Sequence, residues 1–177
     1  MESKNIFIIL GLFLSILVGC SSMEVNEYKN EKPELVLEQY LNGPLVAHGF
    51  FQDRWGKVVK RFVVTMKGTW VNGVGTLEED FVYSDSTKSR RVWTITKTGN
   101  GKYSGRASDV IGEAIGESAG NAFRWRYTLD LAVGSKNYHV YFDDWMYLMD
   151  DKIMLNRSKM SKYGVFLGEV FLTFEKK

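Results

Sequence analysis

The 177-residue chain carries 23 lysines and arginines against 21 acids, a formal net charge of +2. With both signs interspersed, so small a surplus argues against nucleic acid as a partner. The single cysteine excludes an internal disulfide framework and a thiolate metal cluster, so stability has to come from an apolar core.

Lys4 precedes an almost unbroken apolar run from Ile6 to Val18, too short to span a bilayer as a mature helix, and the run ends in Leu17-Val18-Gly19-Cys20. Residues 1–19 therefore read as a lipoprotein signal peptide. "LVGC" resembles the bacterial lipobox, which implies that Cys20 becomes the acylated first residue and that palmitate-like chains tie the protein to a membrane. Each buried methylene adds about 0.8 kcal/mol, so several chains anchor firmly without a transmembrane helix. Ser21 and Ser22 stand where an aspartate would follow the cysteine, and by resemblance to the enterobacterial sorting rule this implies the outer membrane on its periplasmic side. Residues 20–32, ending in "VNEYKNEK", read as a lipidated, solvated, flexible tether, and residues 33–177 as one domain.

Pro33 opens "PELVLEQYLNG", a short helix with proline at its start and Gly43 at its end, expected to brace or plug one end of the fold. From Leu45 onward, alternating apolar and polar residues punctuated by turn residues predict an all-β meander. Nine strands are expected, over about 45–53, 57–71, 74–84, 90–98, 102–110, 121–132, 137–149, 152–158 and 164–175. The fold class is an antiparallel up-and-down barrel of eight to ten strands.

The turns predict register, because a slip of one residue turns every side chain to the opposite face. A two-residue turn at Asn72-Gly73 pairs Val71 with Val74, Val64 with Phe81, Phe62 with Tyr83 and Lys67 with Glu78, chemically consistent on both faces. A turn at Gly134-Ser135 pairs Tyr127 with Phe142, Leu129 with Val140 and Arg126 with Asp143. A turn at Asp150-Asp151 would pair Leu148 with Ile153, Met146 with Leu155 and Asp144 with Arg157.

This sorts the four aspartates of "YFDDWMYLMDD". Asp150 and Asp151 belong to a turn, Asp143 faces outward, and Asp144 alone points inward with Arg157 as its expected partner. Because alternation sends adjacent aspartates to opposite faces, no metal site is expected, and nothing points to a cofactor. Phe81, Tyr83, Trp93, Phe123, Trp125, Tyr127 and Phe142 line the expected inner face. Glu79 and Arg91 join them, and ionisable groups are costly in a dry core, which favours a lumen holding water or ligand. In that reading Arg157 and Asp144 orient the polar head of an apolar ligand; the alternative is a structural ion pair in a filled barrel.

"GESAG", Gly116 to Gly120, matches the G-x-S-x-G nucleophile elbow, but alternating strand follows Ser118 where a helix is required. His48 and His139 are the only histidines, and the register turns His139 outward. The motif reads as a coincidence of small residues, and no enzyme is expected.

The segments "YLNGPLVAHGFFQDRWGKVVKRF", "GTLEEDFVYSD", "RRVWTITKTGNGKYSG", "AGNAFRWRYTLDL", "FDDWMYLMDD" and "LNRSKMSKYG" resemble a family of proteobacterial lipoproteins catalogued as a domain of unknown function. The resemblance spans nearly all of the mature chain. It implies an envelope location and a calycin-like barrel, and it transfers no catalytic residue. True lipocalins carry G-x-W on the first strand, where "NGPLVAHGF" has His48-Gly49-Phe50. Three expectations follow: a lipid-anchored carrier of a lipid or other small hydrophobic molecule, an adaptor with a filled barrel and, last, a serine hydrolase. Any protein partner is left open.

Overall fold

The computed structural model describes residues 23–177. The apolar run, the LVGC box and Cys20 lie outside the described residues. Ten antiparallel strands close into a barrel: β1 (Gly43–Asp53), β2 (Val58–Val71), β3 (Val74–Tyr83), β4 (Lys88–Gly99), β5 (Lys102–Arg106), β6 (Ala114–Ala119), β7 (Ala122–Val133), β8 (Lys136–Leu148), β9 (Ile153–Lys162) and β10 (Val165–Lys176). Each strand pairs with its sequence neighbours, and β1 pairs with β10 to close the ring.

Two of the three expected hairpin registers hold in full. Val71 opposes Val74, Val64 opposes Phe81, Phe62 opposes Tyr83 and Lys67 opposes Glu78; Tyr127 opposes Phe142 and Arg126 opposes Asp143. Arg126 nevertheless turns to Glu117 at 3.7 Å, and it is Arg124 that holds Asp143 at 2.7 Å.

The third register is wrong by one residue. The β8–β9 turn has three residues, Asp150 to Lys152, closed by the Met149 N–H donating to the Ile153 carbonyl at 2.8 Å. The Asp150 carboxylate accepts from the backbone N–H of both Lys152 and Ile153, at 2.8 and 2.7 Å, which stabilises the longer loop. Leu148 therefore opposes Met154, and Asp144 opposes Ser158 instead of Arg157. Every side chain of β9 is on the face opposite to the one expected. Arg157 lies on the outer wall against Glu169, at 2.6 Å.

The strand missing from the nine expected is β6, which contains most of "GESAG". Its small residues carry little strand propensity. Pairing on both sides, with β5 and β7, makes it a strand. Between β5 and β6 the chain runs through a loop at 107–113 that lies over β7, with Ile111 N–H donating to Thr128 O and Asp130 N–H to Asp109 O, both at 2.9 Å.

One end of the barrel is sealed. The segment 35–41, with the single helical turn α1 (Leu37–Tyr40), inserts Leu35, Leu37, Tyr40 and Leu41 into the core cluster. Lys176 Nζ donates to the carbonyls of Tyr40 and Asn42 at 3.0 and 2.9 Å, satisfying acceptors that the short helix leaves open. Tyr40 donates its hydroxyl to Lys152 O at 2.9 Å, and Glu38 takes hydrogen bonds from Lys97 and, at 2.6 Å, from Tyr103. Burial would raise Glu38, but those two hydrogen bonds outweigh it and hold the carboxyl below its ordinary range. At Gly68 the Leu41 carbonyl would stand 1.7 Å from an added Cβ, so only glycine lets the plug seat. The segment expected to plug one end does so, but as a single helical turn: the helix begins at Leu37 and not at Pro33, and Gly43 opens β1 instead of ending the helix. Part of the segment expected to be solvated is also packed: Val25–Tyr28 forms a 3-10 turn, Val25 is buried, and the Tyr28 ring lies 5.3 Å from Tyr147 and 5.9 Å from Trp145.

Candidate ligand cavity

Inward positions of nearly every strand surround a cavity of about 950 Å³. Alternation explains its apolar wall, since β7 points Phe123, Trp125, Tyr127 and Leu129 inward, all buried, and Arg124 and Arg126 outward. The aromatic rings interlock. Trp93 meets Trp125 edge to face at 5.6 Å and Tyr127 at 5.4 Å, while Tyr127 stacks on Phe142 at 5.1 Å. Toward the open end Phe62, Phe81 and Tyr83 form a second cluster with centroids 5.8 to 6.0 Å apart. Gly105 and Gly116 make room for the first cluster, because a Cβ would stand 2.4 Å from the Trp125 ring at the one and 2.5 Å from it at the other.

A polar belt crosses this wall at mid-height. Asp144, 6% exposed, accepts hydrogen bonds from Tyr127 at 3.1 Å and from Ser158. Burial pushes its carboxyl up to about 7 against the opposing pull of those two hydroxyls. Glu79 lies 3.8 Å from Arg91, and burial pushes it up to about 7 as well, despite the guanidinium. Arg91 is committed elsewhere: its Nε and Nη2 fork onto Asp109 at 3.0 and 2.7 Å. Burial disfavours the Arg91 charge, but the hydrogen bonds to Asp109 and the nearby Glu79 outweigh it and hold the guanidinium charged. The belt thus sets three carboxyl groups against one cation. Among the described residues no three histidine, cysteine, aspartate or glutamate side chains converge as a metal site.

Of the residues expected to meet a ligand, Phe81, Tyr83, Arg91, Trp93, Phe123, Trp125, Tyr127, Phe142 and Asp144 all line this cavity. Arg157 does not, because the β8–β9 slip places it outside. The same slip brings in Asn156, Ser158 and Met160, which the sequence reading missed. The signal was present in Asp150, whose carboxylate favours a loop closing three residues on. Asp109 was missed because it falls inside the strand expected over 102–110, whereas β5 ends at Arg106 and Asp109 sits on the loop that follows.

Ser118 lies on β6, and its hydroxyl donates to the Leu35 carbonyl at 3.1 Å, which ties the plug segment to the wall. His139 is on the outer face, 3.8 Å from Asp130, as the register predicts.

The chain belongs to the family described as "Protein of unknown function (DUF3833)", whose model matches residues 14–176. No curated protein matches it. Among solved structures it is similar to the S-type phycobiliprotein lyase CPES from Guillardia theta, with a TM-score of 0.58 and 8% identity over 78% of this chain and 89% of that one. It is also similar to a protein of unknown function from the DUF3598 family of Nostoc punctiforme, with a TM-score of 0.51 and 12% identity over 83% of this chain and 51% of that one. At such identities the likeness is one of fold, a lipocalin-like barrel.

Proposed function

We propose that this DUF3833 chain is a lipid-anchored carrier that holds a small, elongated hydrophobic molecule in the barrel. The observation that carries the reading is the cavity of about 950 Å³ itself, with apolar walls and a few convergent polar groups, the usual make-up of a small-molecule site. A barrel packed solid would favour an adaptor instead, and so open a lumen weighs against that reading. The apolar body of the ligand lies along Phe123, Trp125, Trp93 and Phe142, and its polar end meets Asp144, Tyr127, Ser158 and Glu79. With Arg157 outside and Arg91 engaged by Asp109, this belt favours a head that is neutral and donates hydrogen bonds over a carboxylate. Acylation of Cys20, export to the periplasm and residence at the outer membrane complete the proposal, resting on the apolar run and "LVGC". The "GESAG" serine has no catalytic part in it.

Titration of delipidated protein with fatty alcohols, monoacylglycerols and fatty acids, read by indole emission, tests the cavity. Ligand entry beside Trp93 and Trp125 should change the emission, and at pH 8 a neutral chain should bind about tenfold more tightly than the matching carboxylate, a difference of about 1.4 kcal/mol. If nothing binds at micromolar concentration, the adaptor reading takes its place. Metabolic labelling with a palmitate analogue tests the anchor, since Cys20→Ser should abolish the label.

A further inference from the structure

The two ends of the barrel differ in what they expose. Strand directions put α1, the Asn72-Gly73 turn and the Asp150 loop at the sealed end, and the β1–β2, β7–β8 and β9–β10 hairpin tips at the other. Those three hairpins are consecutive around the ring, in the strand order β2-β1-β10-β9-β8-β7, so their tips form one continuous half of the rim. They present Trp55, 79% exposed, and Tyr163, 93% exposed, with Val59, Val133, Val165 and Phe166 also exposed.

The same tips carry Arg54, Lys57, Lys136 and Lys162, none of which forms an ion pair among the described residues. Arg54 lies 4.7 Å over the Trp55 ring, and Lys162 lies 5.3 Å over Tyr163. The acid at the base of the first tip, Asp53, turns its carboxylate to the backbone N–H groups of Trp55 and Lys57, both at 3.0 Å, and so fixes the tip that displays the indole. The lumen lining reaches this rim through Val59, Lys60, Val133 and Lys162.

We infer that this half-rim docks on an anionic lipid surface and sets the mouth of the lumen against it. Amphipathic rings settle at the level of lipid headgroups, and unpaired lysines and arginines beside them complement anionic phosphates. An aqueous role alone leaves the exposed rings of Trp55, Tyr163 and Phe166 unexplained, since among the described residues the sealed end exposes Val71, Val74 and Met149 but no large aromatic side chain, and aromatic surface gathered at one rim marks an interaction site. Direct passage between bilayer and lumen would spare an apolar ligand exposure to water. The inference takes its purpose from the reading of the lumen as a ligand cavity, but its test does not depend on any ligand.

The mature chain from residue 20, with Cys20→Ser and labelled with a bimane at Ser135→Cys on the rim or at Asp151→Cys at the sealed end, is mixed with phosphatidylcholine–phosphatidylglycerol vesicles bearing brominated acyl chains. Quenching should be several-fold greater at position 135 than at 151, and Lys57→Glu with Lys162→Glu should abolish the difference. Equal quenching at the two positions, absence of quenching at 135, or a difference that survives the charge reversals overturns the inference. Ligand titration without vesicles reports separately on the cavity, so the two readings can fail independently.

Discussion

The sealed end and the mouth are made of the same ten strands, yet they spend their side chains differently. At the sealed end Leu37 and Leu45 are essentially inaccessible to water, and Tyr40, Lys176, Glu38 and Ser118 each bind a carbonyl or a counter-charge contributed by another element. At the mouth the hairpins are held mainly by their own turns, and large apolar side chains face solvent. The difference shows that stability and access have been separated along one axis: the plug supplies the core that an open lumen cannot, and the mouth is left free. The polar belt of Glu79, Arg91, Asp109, Asp144 and Ser158 lies between them.

Leu37→Ala should produce the largest loss. The residue is 1% exposed, and emptying such a site costs about 2–5 kcal/mol. Tyr163→Ala at the mouth should stay within about 0.5 kcal/mol, as surface substitutions do. Chemical denaturation midpoints measure both, and similar losses would break the contrast between the ends.

Gly68→Ala sharpens the same contrast without removing any contact. An added methyl would meet the Leu41 carbonyl, so the plug must shift, at a cost of about 1–3 kcal/mol. A further expectation is that the Tyr40 and Lys176 hydrogen bonds loosen together. Amide exchange at Leu41, whose N–H donates to Leu37 O, should quicken more than at the mouth. Uniform quickening would indicate that the plug is not a separate seal.

The belt predicts a pH dependence. Asp144 and Glu79 each have an ordinary carboxyl value when unfolded and are pushed up to about 7 by burial in the folded barrel. Between about pH 4 and 7 the folded chain therefore binds more protons than the unfolded chain, and its stability falls as pH rises, by up to about 1.4 kcal/mol per pH unit for each group. Above pH 7 this contribution is flat. Asp144→Asn should remove part of the slope, and a wild-type protein as stable at pH 8 as at pH 5 would contradict the buried placement of both acids. Asp144→Ala should cost about 1–3 kcal/mol by stranding the Tyr127 and Ser158 hydroxyls, against about 0–1 for Asp151→Ala on the exposed turn.

The barrel and most of its inner face were legible in the sequence because two kinds of signal agreed. Asn72-Gly73 and Gly134-Ser135 fixed two hairpins, and the apolar alternation on either side confirmed the registers they imply. Where only one signal was present the reading failed. Strand β6 has neither propensity nor alternation, and it is set by its two neighbours and by the Trp125 ring above Gly116. On β9, "IMLNRSKMSK" is apolar on both faces near its start, so alternation could not arbitrate between a two-residue and a three-residue turn, and the Asp150 carboxylate decided it. The charge balance of the belt depended on that one residue. A reading with Arg157 inside supplies a cation for Asp144, whereas the structure gives it two hydroxyls and leaves the lumen acidic.

Arg157 is for that reason the most economical probe of the inner and outer walls, although its expected effect is the smallest. Its side chain is 54% exposed and its partner Glu169 is 14% exposed, so the pair is of the surface kind, contributing about 0–1 kcal/mol. Arg157→Met should shift the denaturation midpoint by no more than that, and it should leave indole-monitored titrations of neutral and carboxylate ligands unchanged. The two possible registers differ sharply on this point. If Arg157 faced the lumen, its removal would strand the Asp144 carboxylate, at a cost of about 3–5 kcal/mol, and would weaken carboxylate ligands selectively. Ser158→Ala makes the reciprocal case: in the observed register it removes a donor from Asp144 and should lower stability, whereas with β9 shifted by one residue it would lie on the outer face and change nothing. Loss at position 157 together with indifference at 158 would overturn the β8–β9 register, and with it the acidic character assigned to the lumen.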